Sequence, residues 1–374
     1  IHCSLVGSEM CIRDRFKTVA LIIILIRAGL GISKQTLNRI GGPAIRMGFV
    51  PCILEGAAVM AASYYLFDLP LFAAGMLGFI IAAVSPAVVV PSMLELKEGG
   101  FGSKREVPTL VLAGASLDDV IAITIFGVFA GLAAGGSIDL GYLLLGVPAG
   151  VVLGALLGAV FGFLLVWLFR RFRIRNTMKV IMFMIIAVVF YDLSELPAVK
   201  DMLPIAALLG IMAMGFVILE KNSQLAHELA AKFQKVWVLA EILLFVYIGA
   251  EVRVEELSGA LVGTGLLVLA VGLTARSFGV WLSLLGSGLD AGERLFSVIA
   301  YLPKATVQAA MGAVPLAMII DGKITTMTAE TGQVILAIAV LAIVVTAPLG
   351  AIGIRQLGPR LLSKESTRQT EGSV

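Results

Sequence analysis

Eleven apolar segments, each long enough to cross the hydrocarbon of a bilayer, follow one another with only short loops between them. They lie near 16–32, 46–67, 71–94, 107–132, 140–169, 177–193, 202–219, 235–252, 259–285, 294–318 and 331–354. Segments of about 20 residues are helix-length rather than strand-length, and a helix satisfies its own backbone polar groups where no water can. Composition agrees: 59% of the 374 residues are hydrophobic and 14% charged, with a mean hydropathy of +1.02, so polar side chains are too few to cover a soluble globule. The net charge of +3 is small, and the basic residues sit in short loops rather than in one stripe, which argues against a nucleic-acid partner. Three cysteines and two histidines supply neither a disulfide framework nor a metal-ligand set. The sequence therefore predicts an all-α integral membrane protein of about eleven transmembrane helices, solvated by membrane lipid.

Two end segments stand apart. The run LVGSEMCIRDR, from Leu5 to Arg15, looks like the translated end of a sequencing-library adapter, so residues 1–15 are expected to be foreign and the natural protein to begin upstream. Residues 363–374, SKESTRQTEGSV, are polar and without apolar periodicity, and read as a disordered tail. Residues 16–362 form the membrane domain.

Loop charges give an orientation. Lys34, Arg39 and Arg46 follow the first segment, Lys97, Lys104 and Arg105 the third, and Arg170, Arg171, Arg173, Arg175 and Lys179 the fifth. Lys221, Lys232 and Lys235 follow the seventh, and Arg355, Arg360 and Lys364 the last. The intervening loops hold only Lys200, Arg253 and Lys323. By the positive-inside rule the basic loops and the C-terminus face the cytoplasm.

Two segments carry paired prolines: Pro86 and Pro91 in VSPAVVVPS, and Pro303 and Pro315 in YLPKATVQAAMGAVP. Proline removes a backbone donor and frees carbonyls at membrane depth. Ordinary kinks would explain either pair alone, but each segment is the middle of three in its half of the chain. Interrupted helices in corresponding places of two halves point to the inverted repeats of secondary transporters, with the site where they cross.

Charges at mid-bilayer are costly, on the order of 3 kcal/mol each on insertion scales. This chain places Glu55, Asp118, Asp119, Arg276 and Lys304 there. Adjacent residues on a helix point about 100° apart, so Asp118 and Asp119 cannot share one partner equally: one can pair with a base while the other faces an aqueous cavity. Two neighbouring carboxylates away from bulk water resist being ionised together, which lets a proton and a cation compete at Asp119. A static salt-bridge lattice is the structural alternative. Arg276 is expected to choose between Glu55 and Asp118. Lys304, following Pro303, is expected to neutralise carbonyls at a half-helix end, tied to Glu251 across the outer cavity. Ser85 and Thr306 flank the breaks and either lend oxygens to a dehydrated cation or cap loose backbone. Gly146, Gly150, Gly154, Gly158 and Gly162 form a smooth stripe that reads as a packing interface.

From about Lys17 to Lys364 the chain resembles the monovalent cation:proton antiporter superfamily, in its NHA branch of sodium/hydrogen exchangers. VSPAVVVPSMLEL, VPTLVLAGASLDDVIAIT, IGAEV, YLPKATVQAA and TAPLGAIGIRQLGPRLL carry the resemblance, in that order. It implies a core of six helices with both broken ones, near 46–132 and 259–354, moving elevator-like against scaffold helices that form a homodimer. It implies that Asp118 and Asp119, next to Ser85-Pro86 and Thr306, hold Na⁺ or Li⁺ in exchange for H⁺, with Arg276 as the basic partner. Glu55, Glu251 and Lys304 fall at positions the branch also fills with charge. The branch has thirteen or so helices, of which about the first two are missing here. The implied protein is a multi-pass transporter of the cell membrane, not an enzyme, and needs no cofactor.

Three other readings compete. A K⁺/H⁺ efflux antiporter of the same superfamily and a sodium-coupled solute symporter share broken crossing helices, but the chain has neither a nucleotide-binding tail nor the polar residues of a large solute cavity. An intramembrane aspartyl protease is suggested by Tyr191-Asp192, but no Gly-x-Gly-Asp or Pro-Ala-Leu follows.

Overall fold

The computed structural model describes residues 7–31, 34–135, 140–172, 174–194, 196, 199, 205–250 and 259–364. Among these there are helices and no strand; a single antiparallel bridge joins Phe101 to Lys364. In chain order the helices are α1 (Gly7–Leu30), α2 (Lys34–Leu66), α3 (Leu71–Ala82), α4 (Pro86–Glu98), α5 (Val107–Ala133), α6 (Leu140–Arg171) and α7 (Asn176–Ser194). They continue with α8 (Ala207–Lys221), α9 (Ser223–Ala250), α10 (Gly259–Ser283), α11 (Ala291–Ala300), α12 (Thr306–Met311), α13 (Val314–Ile320) and α14 (Ala329–Leu361). Among the described residues, seven spans are long and apolar enough to cross a membrane, α3 and α4 together making one of them.

Packing sorts the helices into two groups. In one, α2 lies against α3, α5 and α10, while α14 covers α11, α12 and α13. In the other, α8 is the hub, with α6 and α1 packed along it and α9 against α1. The glycine stripe is the α6–α8 seam: the Gly150 carbonyl accepts from Ala206 N at 3.0 Å, and a Cβ on Gly154 or Gly158 would run into the backbone of Ala206 or Gly210. Small residues let the two backbones approach, which is how helices associate without a hydrophobic force between them. The opposite face of α6 exposes Val152, Leu156, Val160, Phe163 and Trp167, and α7 exposes Met178, Ile181, Ile185 and Val189, as lipid contact demands.

Loop contacts keep the two ends of the bundle apart. Lys34 N donates to Glu220, Arg46 to the Leu285 carbonyl, Arg105 to Asp290 and Glu293, and Arg170 to the Lys221 carbonyl. The Lys34–Glu220 and Arg170–Lys221 bonds each join two loops that the charge pattern assigns to one side. At the other end Thr326 reaches the Ala133 carbonyl. Of the proposed disordered tail, Ser363 and Lys364 are held, the Ser363 carbonyl accepting from Gly102 N at 2.9 Å; residues 365–374 lie outside the described residues.

The prolines divide by position. Pro86 starts α4, where its missing N–H costs nothing, and the chain before it is extended, with Ala83 at φ −69°, ψ 137°. Pro303 sits in the gap 301–305, closed by Ala305 at φ −156°, ψ −72°. The other two do not break where expected. Pro91 lies inside α4, which continues through it, and Pro315 opens α13, after a second interruption at Gly312 and Ala313.

Candidate functional site

The two breaks touch. Ser85 N, at the start of α4, donates to the Pro303 carbonyl at 2.9 Å, so the half-helices cross with their loose backbone paired across the crossing. The carbonyl ends of α3 and α11 remain, each the negative end of a helix dipole buried away from water. Arg276 from α10 serves both: Nε donates to the Tyr301 carbonyl and Nη1 to the Ala82 carbonyl. Gln308 from α12 completes α3, its Nε2 lying 2.8 Å from the Ile80 carbonyl and 2.9 Å from that of Ala83.

Four of the five expected charges converge on this backbone. Arg276 Nη1 lies 2.6 Å from Glu55 Oε2, and its Nη2 lies 3.0 Å from Asp118 Oδ2. Lys304 Nζ lies 2.6 Å from the same Glu55 oxygen. All four residues are fully buried. Asp118 Oδ2 also accepts from Val84 N at 2.8 Å, which ties α5 to the first break. The Tyr301 ring flanks the guanidinium at 5.1 Å. Buried charges survive when paired and hydrogen-bonded, and the planar fork of Arg276 reaches two carboxylates and two carbonyls at once.

Two expectations are corrected here. Arg276 does not choose between Glu55 and Asp118 but holds both, because its two terminal nitrogens point to different helices. Lys304 does not neutralise a half-helix end; Arg276 and Gln308 do, and its ammonium goes to Glu55. Of the two roles left open for Ser85, its side chain does not take the capping one: Val88 N and Val89 N donate to the Ser85 carbonyl instead. The proposed Lys304–Glu251 tie concerns a residue outside the described ones. Gln308 was missed altogether: a glutamine in an apolar run was the available signal.

Asp119 stands apart from the network. It is buried, at 3% exposure, and its Oδ1 has no hydrogen-bond partner. Asp118 Oδ1, Ser85 Oγ and Thr306 Oγ1 are likewise buried without partners. Pro86 stands directly behind Ser85 at the head of α4. Glu55 Oε1, the Tyr301 hydroxyl and Gln308 Oε1 also lack partners, so buried oxygens with unused hydrogen-bonding capacity, which are uncommon in folded proteins, collect on the residues of this crossing. Asp192 of the Tyr191-Asp192 pair is half exposed and bonded to Arg15 at 2.7 Å. A cavity of about 540 Å³ lies elsewhere, at the ends of α6 and α8 beside Arg170, Arg171 and Lys221.

Helical throughout the described residues, with two interrupted helices crossing at buried carboxylates, the chain has the build of the ion-coupled secondary transporters. Comparison with known proteins narrows the class. The family described as sodium/hydrogen exchanger, transmembrane, matches residues 5–358, and the chain belongs to that family. Sodium/hydrogen exchanger 9B2 of Mus musculus is 34% identical over 355 residues, covering 95% of this chain and 64% of that protein. The 9B2 exchanger of Homo sapiens is 35% identical over 361 residues, covering 96% and 66%, and the 9B1 exchanger of Homo sapiens 32% identical over 358 residues, covering 93% and 66%. The chain thus spans just under two thirds of the length of these relatives. In fold it is similar to the sodium proton antiporter MjNhaP1 of Methanocaldococcus jannaschii, with a TM-score of 0.74 at 18% identity, over 94% of this chain and 86% of that one.

Proposed function

We propose that the chain exchanges Na⁺ or Li⁺ for H⁺ across a cell membrane, with Asp119 and Asp118 as the shared ion and proton site. The observation that carries the reading is the group of unpartnered oxygens at the crossing: Asp119 Oδ1, Asp118 Oδ1, Ser85 Oγ and Thr306 Oγ1. Oxygen ligands suit a hard cation stripped of water. The charge count supports the same reading. Three carboxylates (Glu55, Asp118, Asp119) face two cations (Arg276, Lys304), which leaves room for one further positive charge. A proton or a monovalent cation supplies it equally well, so one-for-one exchange keeps the loaded site neutral.

The rest of the reading follows the same division. The group α2–α5 with α10–α14 is the moving core, and α1 with α6–α9 the scaffold, through which two copies associate. All eleven apolar segments cross the bilayer, in two inverted repeats, and the C-terminus is cytoplasmic, as the basic loops require. Asp119→Asn tests the site. In proteoliposomes it is expected to abolish sodium-driven proton release while the protein keeps its melting behaviour in detergent. Exchange retained by that variant at the parental rate overturns the assignment.

A further inference from the structure

Near the basic end of the bundle, beside the bond from the head of α2 to Glu220 of α8, a charged side chain of the proposed core reaches the end of a scaffold helix. Lys97, in the last turn of α4, donates from Nζ to the Gly31 carbonyl at 2.7 Å and to Thr109 Oγ1 at 3.1 Å. Gly31 closes α1 on the scaffold side, where a helix leaves its last carbonyls unpaired and carries the negative end of its dipole. Thr109 belongs to α5, and its hydroxyl donates in turn to Glu106 at 2.8 Å. Glu106 is one of two described non-glycine residues with positive φ, at 55°, so the chain accepts an unfavourable backbone to hold this carboxylate at the head of α5. A chain of bonds therefore runs from Glu106 through Thr109 and Lys97 into the end of a scaffold helix.

An apolar contact flanks it. Leu94, one turn before Lys97, lies 3.5 Å from where a Gly31 Cβ would stand. A hydrogen bond does so too: Ser116 Oγ, three residues before Asp119 on α5, donates to Met212 Sδ of α8 at 3.4 Å. Bond and contacts all lie on the same side of the aspartate pair, between the carboxylates and the basic loops.

We propose that Lys97 is a releasable latch between core and scaffold: it holds the core docked against α1 in the conformer described here, and its bond to Gly31 must break when the core moves. The inference rests on the antiport reading for the identity of the moving parts. A latch of this kind fits a cation better than a neutral donor, because a helix end attracts charge at short range and loses its hold within about a turn.

The test uses the whole chain in nanodiscs and in proteoliposomes. Spin labels on Ser223→Cys, at the head of the scaffold helix α9, and on Lys104→Cys, in the core between α4 and α5, both exposed positions, report the distance between the two parts in a background lacking the native cysteines. Lys97→Met is expected to shift the distance distribution away from the docked conformer by on the order of ten-fold, the scale of one charge-assisted hydrogen bond, while Lys97→Arg retains it. Identical distributions for the parent and Lys97→Met overturn the latch. A Gly31→Cys/Leu94→Cys pair then tests release. The cysteine at 31 meets only ordinary van der Waals distances. Oxidising the pair is expected to cut exchange at least ten-fold, with recovery on reduction. A demonstrated disulfide with undiminished exchange means the two segments never part, and also overturns the proposal. A parent that shows no Na⁺-for-H⁺ exchange counts against the antiport reading, while the label distances still decide the latch.

Discussion

Gln308 offers the sharpest test of how the crossing is held. Its amide nitrogen sits on the Ile80 and Ala83 carbonyls at 2.8 and 2.9 Å, with a weaker contact to Ile81 at 3.4 Å. The residue is 1% exposed, so no bulk water stands ready to replace it. Gln308→Met keeps length and flexibility and removes both donors. Leaving a buried acceptor without its partner costs about 1–3 kcal/mol, so two of them predict a loss of about 2–6 kcal/mol. Thermal unfolding in nanodiscs measures it, with Gln356→Met on the exposed face of α14 as the control. The expected result is a clearly lowered midpoint for position 308 and an unchanged one for 356. A Gln308→Met protein that melts with the parent would show that the α3 end does not depend on this side chain, and the account of the crossing would fail with it.

Glu55→Gln removes the carboxylate shared by Arg276 and Lys304. Breaking a buried pair costs about 3–5 kcal/mol, and the loaded site gains a positive charge, so exchange is expected to slow and to respond to an imposed membrane voltage. Flux measured under a potassium diffusion potential decides, and parental rates at every voltage refute the charge count. Gly158→Leu forces a side chain into the Gly210 backbone across the α6–α8 seam and is expected to lower the melting midpoint sharply, whereas Gly263→Ala, which meets open space, is not. Arg105 is held protonated more firmly than a free arginine, first by its hydrogen bond to Glu293 and then by that carboxylate's charge. A pKa raised on folding contributes stability that is complete below the ordinary value and lost only as pH climbs through the folded one. The loss caused by Arg105→Ala is therefore expected to be the same at about pH 6 and about pH 9, both far below the arginine range. A loss that differs between those two points would show that another group governs the contact.

Much of this architecture is legible in the sequence. Apolar length located the helices, and Asp118, Asp119, Glu55, Arg276 and Lys304 announced themselves because charge in a hydrophobic run has few explanations. Pro86 and Pro303 marked the breaks for the same reason. Pro91 and Pro315 misled because a proline reports only a missing donor, while its place within a turn decides whether the helix stops. Pairing was the harder matter. Which carboxylate a cation takes depends on the directions of several helices at once, so the fork of Arg276 across two acids and the turn of Lys304 toward Glu55 had no local signature. Gln308 was hidden by neutrality: its work is done by an amide hydrogen on backbone carbonyls that exist only once α3 has ended.

The network also has a history in time. Asp118 is separated from Arg276 by 158 residues of sequence, and Glu55 from Arg276 by 221. At about 5–20 residues per second, roughly ten to forty seconds of synthesis pass between an acid and its base. During that interval the first half of the chain has entered the membrane, and neither carboxylate has its cation. Each must wait neutral, or beside water, until α10 arrives, so assembly of the site is timed by translation and its two acids are most vulnerable before the protein is complete.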